Sequence, residues 1–135
     1  MTTPDRRVRS ERVARALGLL VGRSEARLAA LRIEVLRLHR EIDELYRLAG
    51  DPAVAAPALA VHARNRQMML RRRVEHLAAR IGVETNVLQA LRRKETAVER
   101  IERRIERDLT GERARKALEH YVSDLAASAS RKLGH

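Results

Sequence analysis

The stretch LYRLAGDPAVAAPALAV, residues 45–61, interrupts a sequence that otherwise has the pattern of long charged helices. Gly50 stands where a helix C-terminus favours a residue that tolerates left-handed dihedral angles, and Pro52 lacks the amide hydrogen that would continue the helix. Pro57 suits the opening turn of a second helix. A connection of this length is enough to reverse the direction of the chain, so the stretch predicts an αα-hairpin turn over residues 50–57.

The residues before this turn have the periodicity of a coiled-coil helix, which we predict over 4–49. Thr3 as N-cap, Pro4 in the first helical position and Asp5 at the positive end of the helix dipole mark its start. Apolar or small residues recur at alternating spacings of three and four, the pattern that winds two helices around each other. These positions are Ala14, Leu17, Val21, Ser24, Leu28, Leu31, Val35, Leu38, Ile42, Leu45 and Ala49.

The residues after the turn carry a second coiled-coil pattern, which predicts a helix over 58–109. Its apolar positions are Leu70, Val74, Leu77, Ile81, Leu88, Leu91, Val98, Ile105 and Leu109. Three further positions on this stripe are acidic, namely Glu84, Glu95 and Glu102. Ile101 adds a local change of phase, so we expect a less regular seam here, with local unwinding near 95–102.

The end of the sequence, LTGERARKALEHYVSDLAASASRKLGH, predicts a separate helical segment. Thr110 and Gly111 indicate a break or a weak point in the helix, because glycine inside a helix costs about 1 kcal/mol relative to alanine. A shorter apolar stripe follows and predicts a C-terminal helical segment over 112–130, fraying after about Ser128 because few contacts hold it. The stripe consists of Leu118, Tyr121, Leu125 and Ala129.

The apolar and charged patterns together predict one antiparallel register for the two helices. Pairing about the turn places Leu31 near Leu77 and Arg12 near Glu95. The arginine-rich start of the first helix then meets a stretch with four glutamates, Glu95, Glu99, Glu102 and Glu106. The predicted fold is all-α: a single domain over 1–135, formed by a long antiparallel two-helix coiled-coil hairpin with a short C-terminal helical segment. A parallel homodimer is the alternative, which the turn residues disfavour.

The composition disfavours enzymes, metal sites and membrane spans. The chain has 135 residues without Cys, Phe or Trp, which leaves no thiolate ligand and no cysteine nucleophile. The five histidines form no ligand spacing, and the glycines form no phosphate-binding loop. We therefore predict a non-enzymatic protein without cofactor, metal or small-molecule substrate. Because no signal peptide or apolar stretch of about 18 residues occurs, we expect a cytoplasmic protein.

The net charge of +11 raises a second hypothesis, which is nonspecific binding to nucleic acid. The stretch RNRQMMLRRR, residues 64–73, holds five arginines and forms a basic tip that a partner could contact. However, the sequence has no helix-turn-helix or zinc-finger spacing, and no aromatic residues alternate with the basic ones. A solvated basic face accounts for most of these arginines, and a generic chaperone or scaffold hairpin is a third hypothesis.

Three stretches resemble the flagellar export protein FliJ and its injectisome relatives of the YscO type. The stretch EIDELYRLAGDPAVAAPALAVHARNRQMML is similar to the first-helix end, turn and second-helix start of these sequences. LRRKETAVERIERR resembles the basic stretch before their terminal segment, and KALEHYVSDLAASASRK resembles their closing helix. The resemblance covers nearly the whole chain.

This resemblance implies a stalk that couples two parts of an export apparatus. The end bearing both termini would enter the hexameric export ATPase, the other part would engage the export gate membrane protein, and export chaperones are further partners. By the resemblance, Tyr46 matches an aromatic gate-contact position, with Ile42 one turn and Leu38 two turns before it. Met69 takes the approximate place of an aromatic residue, a departure from the family. The arginines expected to face the ATPase are Arg6, Arg9, Arg12, Arg103 and Arg107.

Overall fold

A computed structural model describes residues 2–51 and 57–134 and shows an all-α protein. Helix α1 spans Thr3–Ala49 and helix α2 spans Pro57–Leu133. The two helices pack against each other, and the described residues contain no strand. The predicted all-α helical hairpin is thus confirmed. Within the predicted turn, residues 52–56, which include Pro52, lie outside the described residues.

The chain divides into two compact units, each formed by parts of both helices. The turn unit comprises Leu19–Arg93, and the terminal unit comprises Met1–Gly18 with Lys94–His135. That the whole chain is one domain stays a prediction.

The turn unit has an aliphatic core along the seam between its helices. Leu38, Ile42, Leu70 and Leu77 form a buried cluster, and Leu31 packs against it as predicted. Half-buried Val35, Leu45 and Val74 complete the packing. Each buried aliphatic side chain contributes about 1.5 to 3 kcal/mol, so this cluster stabilises the unit more than its surface ion pairs do.

Two polar contacts across the turn unit fit the predicted antiparallel register, whereas a third, between Arg92 and Glu25 at 3.0 Å, joins residues that the prediction places about ten residues out of register. The buried Ser24 hydroxyl donates a hydrogen bond to Glu84 Oε1 at 2.8 Å. Near the tip, Arg66 pairs with Glu41 at 3.1 Å. Both pairs join residues that the predicted register places opposite each other to within about one residue.

In the terminal unit the register differs from the prediction. The Thr3 hydroxyl donates to Glu112 Oε1 at 2.9 Å, and Arg6 pairs with Asp108 at 3.3 Å. Arg6 thus lies about two helical turns further along α2 than predicted, and the expected pairing of Arg12 with Glu95 is absent from the described ion pairs.

The physical reason for this shift is the small size of the seam residues of α1. Thr3 and Ser10 are buried there, and Ile105 and Leu109 supply the large buried side chains of α2. The free energy gained by burying Ile105 and Leu109 exceeds the gain from pairing exposed charges, because an exposed ion pair contributes only about 0.2 to 1 kcal/mol.

The seam of α2 is more regular than the sequence suggests. Glu95 and Glu102 are half-buried at seam positions, and the three-four spacing continues through them to Ile105. Ile101 is 49% exposed and lies off the seam. The predicted change of phase at Ile101 is therefore wrong, and the helix continues through residues 95–102.

The ends of α1 also differ from the prediction in detail. Thr2, rather than Thr3, caps the helix: its hydroxyl accepts a hydrogen bond from the Asp5 amide at 3.4 Å, and its own amide donates to the Asp5 carboxylate at 3.2 Å. This reciprocal arrangement is a capping box. Gly50 has no positive φ, and its amide donates to the Tyr46 carbonyl at 3.2 Å, as in one further helical turn. The predicted left-handed cap at Gly50 is wrong.

Helix α2 runs without interruption through Thr110 and Gly111, so the predicted break there is wrong. The Thr110 hydroxyl donates to the Glu106 carbonyl at 2.9 Å, which satisfies it inside the helix. The cost of Gly111, about 1 kcal/mol, is tolerated because good helix formers surround it. The fraying expected after Ser128 is not seen, since the helix extends to Leu133.

Candidate partner-binding surfaces

The last part of α2 has no packing partner among the described residues. Thr3, the first residue of α1, contacts Glu112, which is the last half-buried residue of α2 among the described residues. All residues from 113 to 134 are exposed. We call residues 113–133 the C-terminal segment.

The C-terminal segment carries an exposed apolar face at helical spacing. Leu118, Tyr121, Val122 and Leu125 are each between 53% and 62% exposed, and spacings of three and four place them on one side of the helix. Three of the four were predicted from the sequence. Val122 was not, although its position four residues after Leu118 marks the same face.

The predicted ATPase-facing arginines lie on the surface of the terminal unit in different environments. Arg6 pairs with Asp108, and Arg103 lies 3.9 Å from Glu99. The remaining three form no ion pair with a described residue and are exposed: Arg9, Arg12 and Arg107.

The predicted gate-contact residues divide into two groups in the turn unit. Leu38 and Ile42 belong to the buried cluster, only 3% and 8% exposed, so no partner reaches them while the two helices remain packed. Tyr46 and Met69 are 65% and 63% exposed and lie on different helices. Only the second pair is accessible to a partner.

Two grooves flank the seam of the terminal unit, and Ser10 and Ile105 line both of them. The basic groove has a volume of about 340 Å³ and is lined by Arg6, Arg9, Ser10, Val13, Val98, Ile101, Arg104 and Ile105. The acidic groove has a volume of about 380 Å³ and is lined by Arg7, Ser10, Glu11, Glu99, Glu102, Arg103, Ile105 and Glu106. The two sides of the seam therefore differ in charge and in apolar character.

The surface of the turn unit carries a local charge network on α1. Arg37 donates to both carboxylate oxygens of Glu34, at 2.7 and 3.0 Å, and also lies 3.7 Å from Glu41. These hydrogen bonds lower the pKa of Glu34 and raise the pKa of Arg37. Both shifts favour the charged forms of Glu34 and Arg37.

The basic tip, residues 64–73, is only partly neutralised. Arg66 pairs with Glu41, whereas Arg64, Arg71 and Arg72 form no ion pair with a described residue. The tip thus presents unpaired positive charge to solvent.

The described residues show neither a cluster of metal ligands nor a membrane-spanning helix. They contain no group of three or more potential metal-ligating side chains of the His, Cys, Asp and Glu types. Across residues 2–51 and 57–134, neither helix is both apolar and long enough to cross a membrane.

Comparison with known protein families, with curated proteins and with solved structures gave no match to this chain.

Proposed function

We propose that this protein is a non-enzymatic stalk of a flagellar or type III protein export apparatus. In this proposal it acts in the cytoplasm, at the cytoplasmic face of that apparatus. The end of the hairpin that bears both termini binds the hexameric export ATPase, and residues near the turn contact the export gate membrane protein. Export chaperones are further partners, and neither nucleic acid nor a small-molecule substrate is required.

The observation that carries the proposal is the unpartnered C-terminal segment. An exposed apolar face with basic flanks is typical of a helix that binds another protein. This face begins at Leu118, about 9 Å along α2 from the Thr3–Glu112 contact, so a partner helix of several turns that binds it can also reach the start of α1. Unpaired Arg9 and Arg12 add donors that suit carboxylate and carbonyl groups of such a partner.

The exposed residues of the turn unit supply a second contact. Tyr46 combines a large apolar ring with a polar hydroxyl, the type of side chain that often anchors an interface. Met69 adds a flexible apolar side chain. Leu38 and Ile42 support this surface from the core rather than contacting the gate.

Hydrolysis by a purified export ATPase, measured against the concentration of this protein, tests the proposal. We expect the wild-type chain to stimulate hydrolysis or ring assembly. The paired substitutions Tyr121→Asp and Leu125→Asp place charges on the apolar face, so we expect about tenfold more protein to be required, corresponding to about 1.4 kcal/mol.

The matched control carries Tyr46→Asp and Met69→Asp, which change similarly exposed side chains in the turn unit. We expect this variant to stimulate the ATPase like the wild type. A wild-type chain that neither binds nor stimulates the ATPase, or a control that fails as badly as the test variant, would count against the proposal.

The unpaired arginines of the basic tip favour a second candidate function, nonspecific binding of nucleic acid. Such binding depends on phosphate contacts and weakens steeply with salt. If Arg71→Glu with Arg72→Glu abolishes a submicromolar affinity for DNA at physiological salt, this function replaces the export proposal.

A further inference from the structure

The basic groove of the terminal unit combines an apolar floor with a positively charged rim. Val13 on α1 is 42% exposed and Ile101 on α2 is 49% exposed, and both line this one groove. Half-buried Val98 and buried Ile105 continue the floor at spacings of three and four from Ile101. Val98 and Ile105 are seam residues, so Ile101 extends the apolar surface from the seam to one side, where a third helix would pack.

The rim of the groove carries only positive charge. Arg6, Arg9 and Arg104 are its charged lining residues. Arg9 and Arg104 form no ion pair with a described residue, and Arg6 is paired with Asp108 in an exposed contact. By contrast, four glutamates line the acidic groove on the other side of the seam. This difference in charge favours an acidic partner over a basic one in the basic groove.

We propose that the basic groove docks an amphipathic helix of another protein, with aliphatic side chains on the floor and acidic residues against the arginine rim. A groove between two paired helices accepts the ridge of a third helix, and arginine recognises carboxylates through two parallel hydrogen bonds.

The charge of the C-terminal segment argues against a second copy of this chain as the occupant. The segment contains Glu119 and Asp124 but a larger number of basic residues: Arg113, Arg115, Lys116, Arg131 and Lys132. Placing it against the arginine rim would bring like charges together. The proposal does not rest on an export ATPase, because the groove itself carries it.

The probe for the test is a synthetic helical peptide of about three heptads, with Leu and Ile at the a and d positions and Glu at the flanking e and g positions. A second peptide has Lys in place of every Glu. Binding of each fluorescently labelled peptide to the full chain is measured by anisotropy at physiological salt, at peptide concentrations where sedimentation shows a monomer. We expect the Glu peptide to bind and the Lys peptide not to bind.

Two variants with equal changes in charge locate the site. Arg9→Glu with Arg104→Glu reverses the rim, and we expect it to weaken the Glu peptide by about tenfold or more and to create binding of the Lys peptide. Arg113→Glu with Arg115→Glu changes the same net charge outside the groove and should leave the Glu peptide within about twofold of wild type. Ile101→Asp should also abolish binding, with circular dichroism showing unchanged helicity because Ile101 lies off the seam.

Several results would overturn the proposal. One is absence of binding of the Glu peptide to a folded wild-type chain. Another is equal weakening by the two charge variants, which would show nonspecific attraction. A third is a wild-type dimer that Ile101→Asp dissociates, which would show that a second copy covers the groove. None of these results depends on the presence of an ATPase.

Discussion

At the scale of single residues, the seam of the turn unit contains a polar pair that the apolar pattern alone does not explain. Ser24 is fully buried, and its hydroxyl donates to Glu84, which also lies 3.6 Å from Arg27. In the sequence, Ser24 is a small residue on the apolar stripe of the first helix, and Glu84 is an acidic residue that interrupts the apolar stripe of the second. The structure joins them across the seam, so the small residue makes room for the acidic one.

We predict that Ser24→Ala lowers the free energy of unfolding by about 1 kcal/mol, because a half-buried carboxylate loses its hydrogen-bond donor. Ser24→Ala combined with Glu84→Gln should cost less than the sum of the single changes, because the two side chains interact directly. Urea unfolding of the four proteins of this cycle measures the coupling. Strict additivity would contradict the observed hydrogen bond.

A second residue-scale prediction concerns pH. Because hydrogen bonds from Arg37 lower the pKa of Glu34, the folded state favours the charged carboxylate. This contribution to stability is complete above the usual Glu value of 4.5 and is lost as the pH falls through the lowered value.

We therefore predict that Glu34→Gln is less stable than wild type at pH 7 and that the difference shrinks as the pH falls below 4.5, the usual pKa of Glu, and through the lowered pKa. Thermal unfolding of both proteins across this range measures it, with Glu44→Gln as an exposed control on the same helix. A difference that stays constant with pH would refute the role of the ionised carboxylate.

At the scale of helices, the sequence predicted the seam well and the helix ends poorly. Alternating spacings of three and four identify seam residues such as Leu38 and Leu77 because burial of aliphatic side chains dominates the packing. The register of the terminal unit and the continuity of α2 depend on smaller differences in free energy. The burial of Ile105 against small residues and the cost of Gly111 each amount to about 1 to 3 kcal/mol. The position of Ile101 could not be predicted because a single sequence does not distinguish an apolar residue on the seam from one that lies beside it.

We predict that the C-terminal segment contributes little to the stability of the rest of the chain. Because none of residues 113–134 is buried, a chain ending after Glu112 should unfold at the same urea concentration as the full chain. The segment's amide hydrogens should also exchange faster than those of the paired part of α2, since an unpaired helix of this length is marginal in water.

Hydrogen exchange followed by mass spectrometry tests this expectation, with peptides from residues 70–90 as the protected reference. Strong protection of residues 118–126 in a monomer would contradict the exposure of this segment among the described residues. Protection that arises only when the export ATPase is added would support the proposed function.

At the scale of the whole molecule, two features influence stability and binding: an aliphatic core without large aromatic side chains and a large positive charge. Leu77, only 1% exposed, is the most completely buried large side chain among the described residues, and no Phe or Trp is available to enlarge the core. A net charge of +11 adds repulsion within the folded chain and attraction for acidic partners. A partner that binds only the folded form stabilises it further. The apolar and basic surfaces described above are consistent with such a protein-binding role, which the composition alone could not localise.

The central claim is that α1 and α2 pair within one chain, and cross-linking tests it most directly. Because the chain has no cysteine, Glu41→Cys with Arg66→Cys introduces a single thiol on each helix at an exposed contact of the turn unit. A mixture of unlabelled and ¹⁵N-labelled protein is treated with a short bismaleimide and digested for mass spectrometry. We predict cross-linked peptides in which both halves carry the same isotope. Cross-links that combine the two isotopes, or cross-linking of Glu41→Cys alone between chains, would show that the helices pair between two molecules.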